Sequence, residues 1–303
     1  MKICIICVEK TDYAPKRILE EGKKMGHAMY ITSWSDVIVD MSEKGVYIGD
    51  KKRSFLEFDA IIPRSPNFNI KREGKKLIKR MTPILRLIIE HAKKNKIAIL
   101  NDKYFTQYQC TDKLTQQFFF FNNNLPGIPT EYFSFLQKTI NYPIVVKTAQ
   151  GSLGSGVFKA ENNYELESFL EEANSSGKSF IYQKFFSIKC DYRVLVANNK
   201  AIGAMRRESR ENEWRTNVSL GGTACRLEGK EAEKLKKLGE KVAKKMAFDY
   251  VGVDILEYNK KYYIIEVNSL AQFRGFESAY KDINVAREII KTMESKVENL
   301  RLS

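Results

Sequence analysis

Residues 251–268, VGVDILEYNKKYYIIEVN, read as two strands folded back on each other. VGVDILEY (251–258) and YYIIEVN (262–268) are apolar and β-branched, with Asn259-Lys260-Lys261 as the turn between them. Side chains alternate along a strand, so Glu266 and Asn268 share a face, and Asp254 on the partner strand can point the same way. Three oxygen ligands would then gather among Val253, Ile255, Ile265 and Val267. Carboxylates in such apolar strands are costly unless their charge is compensated. Two compensations are open. A local Arg or Lys could pair with each, or a hard cation could sit among the oxygens. Magnesium suits that donor set and commonly takes further oxygens from a nucleotide's phosphates.

Working outward, YRVLVA (192–197) and KAIGAMRR (200–207) form another hairpin on the two-residue turn Asn198-Asn199. Asp191 and Arg193 share one face of its first strand. They read either as a surface ion pair or as a guanidinium fork offered to a carboxylate or phosphate. Arg215-Thr216-Asn217 and Gly221-Gly222 follow. Helices are expected at 230–247, with Ala232, Leu235, Leu238, Val242 and Met246 at helical spacing, and at about 284–298.

Upstream, a unit beginning near Asn101 holds a helix at 112–122, the strand PIVVK (143–147), a helix at about 163–174 and the strand SFIYQKFF (179–186). Lys147 ends its strand beside Gln150-Gly151-Ser152-Leu153-Gly154-Ser155-Gly156. Glycines let a backbone approach phosphate and offer it N–H groups. A plain hairpin turn is the other reading of such a stretch. It is neither a Walker loop nor a dinucleotide fingerprint. The first hundred residues alternate strand and helix: KICIICV (2–8), a helix at 14–26, AMYIT (28–32), FDAIIP (58–63), a helix opened by Thr82-Pro83, and IAIL (97–100). That alternation implies a parallel α/β sheet.

Composition narrows the class. Of 303 residues 43% are hydrophobic, enough for a sizeable core, and no apolar run approaches the ~20 residues that span a bilayer. No membrane role and a cytoplasmic location are expected. The five cysteines are irregularly spaced, Cys4 and Cys7 inside an apolar run read as buried free thiols, and only His27 and His91 are available for histidine chemistry. The net charge is +14, and residues 1–100 hold 21 Lys and Arg against 12 Asp and Glu. Such an excess fits a nucleic-acid footprint, a field that collects anionic substrates, or a solvated surface. The cluster Lys71, Arg72, Lys75, Lys76, Lys79 and Arg80 reads as a solvated face. Nucleic-acid binding is disfavoured because the aromatics gather in apolar runs such as FFFF (118–121) instead of interleaving with basic residues.

Taken in order, these features resemble the ATP-grasp superfamily, and within it the RimK-like α-L-glutamate ligases, over nearly the whole chain. The fold this implies is α/β: an N-terminal parallel α/β domain (1–100), then a two-lobed ATP-grasp domain with a central lid lobe (101–186) and a C-terminal lobe (187–303). The resemblance implies ATP and Mg2+, with Mn2+ a possible substitute. It implies that a carboxylate becomes an acyl phosphate and is then attacked by an amine, with glutamate added to a protein, peptide or small-molecule acceptor. Lys113 and Lys147 match phosphate-site lysines, and Gly151, Ser152, Gly154 and Gly156 the loop that closes over phosphates. Gln183, Lys184, Phe185 and Phe186 match the hinge that reads adenine, and Asp191 a residue near the ribose. Arg215 and Asn217 match the catalytic R-x-N that meets the γ-phosphate and acyl phosphate. Asp254, Glu266 and Asn268 match the metal ligands. Arg193 matches an arginine facing the acyl substrate, and Arg64 and Arg206 are further arginines that could grip one. Leu220 departs from the branch, which often has arginine there. The expected partners are a carboxylate substrate, an amine, an acidic protein or peptide acceptor, and further copies of the chain in a dimer or tetramer. The rivals are a grasp ligase that modifies peptides with another amine, a basic nucleic-acid-binding protein, and a silent ATP sensor.

Overall fold

A computed structural model of the chain describes residues 1–49, 53–64, 67–72, 75–80, 82–107, 112–132, 141–149, 156–174, 179–209 and 222–302. The first strands and helices follow the alternation read in the sequence. They are β1 (Lys2–Cys7), α1 (Tyr13–Lys24), β2 (Ala28–Ser33), β3 (Val37–Asp40), β4 (Gly45–Ile48), β5 (Arg53–Ser54), β6 (Ala60–Pro63), β7 (Asn67–Arg72), β8 (Lys75–Arg80), α2 (Thr82–Lys94) and β9 (Ala98–Ile99). Four of them make a parallel sheet in the order β2-β1-β6-β9. Its strands are apolar on both faces because both are covered. Cys4, Ile6, Ile61 and Ile99 meet Leu85, Ile88, Ile89 and Ala92 of α2, whereas Ile3, Ile5 and Ile62 face α1. Cys4 and Cys7 are buried free thiols, pushed up by burial to about 12 and about 11. The small sheet β3-β4-β5 and the two-stranded ribbon β7-β8 are additions the sequence pattern did not announce.

The chain continues through α3 (Asp102–Gln107), α4 (Lys113–Asn122), β10 (Thr130–Glu131), β11 (Ile144–Thr148), β12 (Val157–Ala160), α5 (Asn163–Asn174) and β13 (Phe180–Lys184). The second sheet runs β10-β13-β11-β12, and its paired strands are antiparallel. Val146, Ala160 and Phe180 pack with Leu166 of α5 on one face, which leaves Val145 and Lys147 on the other.

The last part holds β14 (Cys190–Ala197), β15 (Lys200–Glu208), β16 (Thr223–Leu227), α6 (Gly229–Lys245), β17 (Tyr250–Tyr258), β18 (Lys261–Asn268), α7 (Arg274–Ala279) and α8 (Val285–Leu302). The third sheet has the order β16-β15-β14-β17-β18. Tyr192, Val194, Val253 and Ile255 meet Leu235 and Val242 of α6, and Met246 at its C-cap, on one face. Helix α8, at the far end of the chain, packs on α1, and Ile289, Ile290 and Met293 share a core with Ile3, Ile5 and Ala98. The first and third sheets are thus sealed together by a helix from the end of the sequence.

Candidate active site

The site lies on the face of the third sheet that α6 does not cover. Both of its hairpins turn on two residues with positive φ: Asn198 (48°) and Asn199 (60°), then Asn259 (51°) and Lys260 (61°). This is the two-residue geometry whose twist suits a hairpin. Lys261 is already paired with Tyr258, so the second turn is one residue shorter than the Asn259-Lys260-Lys261 loop expected. A bulge restores the offset: Ile255 pairs with Ile264 but Asp254 with Glu266, leaving Ile265 extra. Asp254 and Glu266 therefore stand opposite each other, and Asn268 stands opposite Gly252. Gly252 has to lack a side chain, since a Cβ there would lie 2.7 Å from that of Ala271.

The Asn268 amide binds this group together, with Nδ2 donating to Asp254 Oδ2 and to Glu266 Oε1, both at 3.3 Å. Asp254 is 3% exposed. Burial pushes its pKa up, but two arginines outweigh burial and hold the carboxyl below the ordinary range. Arg193 donates to it from Nε (2.7 Å) and Nη2 (2.6 Å), and Arg207 Nη2 lies 3.2 Å away. Arg207 is itself pinned to Asp191 by two bonds of 2.6 Å. A chain of alternating charge thus crosses three strands: Asp191, Arg207, Asp254, Arg193. Both compensations open from the sequence coexist here, arginine partners and a set of oxygens able to hold a hard cation.

Lys147 approaches from the second sheet. It is half-buried, and burial draws its ammonium down to about 8. Glu266 opposes that shift, Lys113 adds to it, and Asp191 and Asp254 oppose it. Lys113, Lys147 and the third-sheet carboxylates are therefore electrostatic neighbours although five elements supply them. Asp112 caps α4 by accepting from Thr115 N at 2.8 Å, and Lys113 N donates to Ala149 O, seating the helix start on the end of β11. Further along α4, the Gln116 amide clasps Val267, donating to its carbonyl and accepting from its N–H. Gln117 Nε2 donates to Ile265 O at the bulge. These glutamines lock the strand that carries Glu266 and Asn268. Their one signal in the sequence is a pair of amides inside an apolar helix.

Gly156 has φ 75°, and a Cβ on it would lie 2.6 Å from Thr148 Oγ1, so only glycine fits. Gly151, Ser152, Gly154, Arg215, Asn217 and Leu220 lie outside the described residues. In the hinge, Gln183 is buried and donates from Nε2 to Thr130 Oγ1, Lys184 is exposed, and Lys159 lies over the Phe185 ring. Phe186 stacks on Tyr263 of β18.

Three expected positions come out differently. Arg206 pairs across from Tyr192 on the α6 side of the sheet, exposed and bonded to Glu208 at 3.1 Å, whereas Arg207 occupies the site face. Ile202, an extra residue in β15, causes the exchange by shifting the register one place beyond Val196. Arg64 is 1% exposed and donates from Nη2 to Leu270 O and Ala271 O, so it ties the end of β6 to the loop after Asn268 and offers no open face to a substrate. Asp191 has both oxygens engaged by Arg207. The run FFFF is also not wholly apolar packing: Phe120 is buried, but Phe118 and Phe121 are 64% and 79% exposed.

A buried acid–arginine ladder beneath an oxygen-ligand trio, flanked by a lysine-bearing second sheet, sits in a fold shared with known ligases. The ATP-grasp ligase PsnB, complexed with minimal precursor, Mg and ADP, superposes with a TM-score of 0.69 at 15% identity, covering 98% of each chain. D-alanine–D-alanine ligase from Bacillus anthracis complexed with ATP gives 0.65 at 13% identity, covering 100% of this chain and 99% of that one. Residues 108–293 match the RimK-like ATP-grasp domain and residues 1–85 the RimK PreATP-grasp domain. The chain belongs to the RimK-like ATP-grasp family. Its relatives include a probable alpha-L-glutamate ligase of Marinomonas sp. (strain MWYL1), 28% identical over 97% of this chain and 95% of that protein. Another is the ribosomal protein bS6–L-glutamate ligase of Escherichia coli O7:K1 (strain IAI39 / ExPEC), 27% identical over 97% and 96%. The protein is an ATP-dependent ligase that joins carbon to nitrogen, and ATP with magnesium is what its family works with. Among the described residues no helix is long and apolar enough to cross a membrane.

Proposed function

We propose that this ligase adds glutamate, through its amine, to a carboxylate of a protein or peptide acceptor. The observation that carries this reading is the Asn268 amide bridging Asp254 and Glu266 within electrostatic reach of Lys147. Two carboxylates on one rigid sheet face, joined by the Asn268 oxygen once the amide turns it inward in place of Nδ2, suit a magnesium ion that also takes nucleotide oxygens, and manganese should substitute. When bound, the ion would offset negative charge on the transferring phosphoryl group. Lys113 and Lys147 would flank the phosphates, with Gly151, Ser152, Gly154 and Gly156 closing over them. Backbone groups of the hinge Gln183, Lys184, Phe185 and Phe186 would take adenine, with Asp191 nearby in its pair with Arg207. The substrate carboxylate attacks the γ-phosphorus, ADP leaves, and the glutamate amine then displaces phosphate from the acyl carbon. Arg215 and Asn217 would steady the transferring group and Arg193 the acyl substrate. The chain's own work is positioning and charge stabilisation, with no covalent intermediate on a side chain. This reading divides the chain near residues 100 and 186 and places it in the cytoplasm, where ATP is at hand.

An acidic acceptor suits the basic ribbon β7-β8, which follows directly on Arg64. Arg72 pairs with Lys75 and Lys71 with Lys76, so cationic positions stand opposite one another. Reversing charge at Lys75, Lys76 and Lys79 should weaken acceptor use at low salt and leave nucleotide affinity alone. The deciding assay is ADP release against a panel of amino acids and peptides ending in acidic residues. Glutamate-dependent ADP release with mass added to a peptide supports the proposal. Release only with another amine would overturn the glutamate assignment.

A further inference from the structure

Asp254 is asked to be a metal ligand, yet its two oxygens are already held by a guanidinium fork. The Arg193 bonds of 2.7 and 2.6 Å use one complete edge of that fork, the strongest arrangement a carboxylate can find among protein side chains. A carboxylate this buried needs a cation at all times. The two arginines that supply it are not equivalent. Arg207 is 2% exposed and pinned to Asp191, so it stays put whatever happens at Asp254. Arg193 has a side chain 17% exposed, sits directly across from Asp254 on β14, and shares the face that Lys147 approaches. A divalent ion on Asp254 competes for the same oxygens and replaces the charge that the fork now provides.

We infer that Arg193 is a resident counter-ion for Asp254 that yields its place to the metal. The exchange frees its guanidinium for an anionic substrate only once the metal is bound. The inference rests on Asp254 being a metal ligand. It adds an order of events: the metal–nucleotide binds first, the substrate carboxylate second. It also explains how the protein folds with this carboxylate buried before any metal arrives.

The test is Mn2+ binding to the full-length protein with ADP present, read as free Mn2+ by electron paramagnetic resonance, without acceptor or amine. Arg193→Gln should bind Mn2+ about tenfold more tightly than wild type, because a bidentate charge-assisted pair no longer competes. Arg206→Gln removes the same charge on the opposite face and should stay within about twofold of wild type, as expected of a screened surface charge. In wild type, Mg2+ with ADP should move the ¹⁵Nε–H arginine resonance that Arg193→Gln deletes. If Arg193→Gln melts early, Arg193→Lys keeps the charge without the fork and should tighten Mn2+ by a smaller factor. Asp254→Asn separates the two claims. If it abolishes Mn2+ binding while Arg193→Gln and Arg193→Lys leave affinity unchanged, the metal site stands and the exchange is wrong. If Asp254→Asn binds Mn2+ like wild type, the metal assignment fails and the exchange with it.

Discussion

The hairpins β14–β15 and β17–β18 are built alike and yet differ in how they can be read. Each turns on two residues with positive φ, and each carries one extra residue that shifts its register. In β17–β18 the short turn and the bulge at Ile265 together reproduce the offset of a three-residue turn, so Asp254 meets Glu266. In β14–β15 the two-residue turn alone would set Asp191 against Arg206, but Ile202 moves Arg207 into that place. A one-residue slip turns every following side chain to the other face, so the bulge, more than the turn, decides which arginine serves the site.

The largest effect is expected in the second hairpin. Glu266→Gln should cut ADP formation by roughly 10²-fold or more, with an unchanged melting curve, because it removes charge from the ligand trio while keeping the shape. Turnover near wild type would show that the face shared by Asp254 and Glu266 is not the reacting one. The first hairpin should respond in stability. Arg207→Gln leaves Asp191 buried without its partner, and loss of one member of a buried pair costs about 3–5 kcal/mol, measurable by urea unfolding. A small loss there would mean that the ladder is less desolvated than its geometry implies.

The lid strand tests whether the two hairpins meet a third partner. Burial holds Lys147 at about 8 in the free protein, below its ordinary 10.5. A phosphate beside it would favour the ammonium and raise that value, so nucleotide binding takes up a proton only above about pH 8. ATP affinity should be flat with respect to this group below pH 8 and fall by up to about tenfold per unit above it. Calorimetry in buffers of different ionisation enthalpy would report the proton, and Lys147→Met should abolish the dependence. The folding linkage has its own sign. The unfolded chain holds this proton to about 10.5, so the Lys147 contribution to stability rises between about pH 8 and 10.5. The smallest effect belongs to Arg206→Gln, which should change stability by no more than about 0.5 kcal/mol, as exposed ion pairs do. A loss like that of Arg207→Gln would reverse the face assignment drawn from the register.

The sequence by itself determined the elements and their kinds. Continuous apolar runs mark strands covered on both faces, as in KICIICV, and helical spacing marks α6, because burial of a face leaves a period in the chain. It also determined that Asp254, Glu266 and Asn268 belong together, since polar oxygens inside apolar strands need a reason that local propensity does not supply. Tertiary structure alone decided the rest. The bulge at Ile265 leaves no period and no breaker residue, and the one at Ile202 is marked only by the neighbouring Gly203, so the facing set by register was not read from the pattern. The clasp of Gln116 on Val267 and the Arg64 bonds to Leu270 and Ala271 span 151, 206 and 207 positions and depend on how sheets are stacked. The fork of Arg193 on Asp254 was open as one of two compensations, and only the packing of β14 against β17 shows that the protein holds its candidate metal ligand with an arginine. Period survives in one dimension, but which charges become neighbours is settled when separate strands are brought side by side.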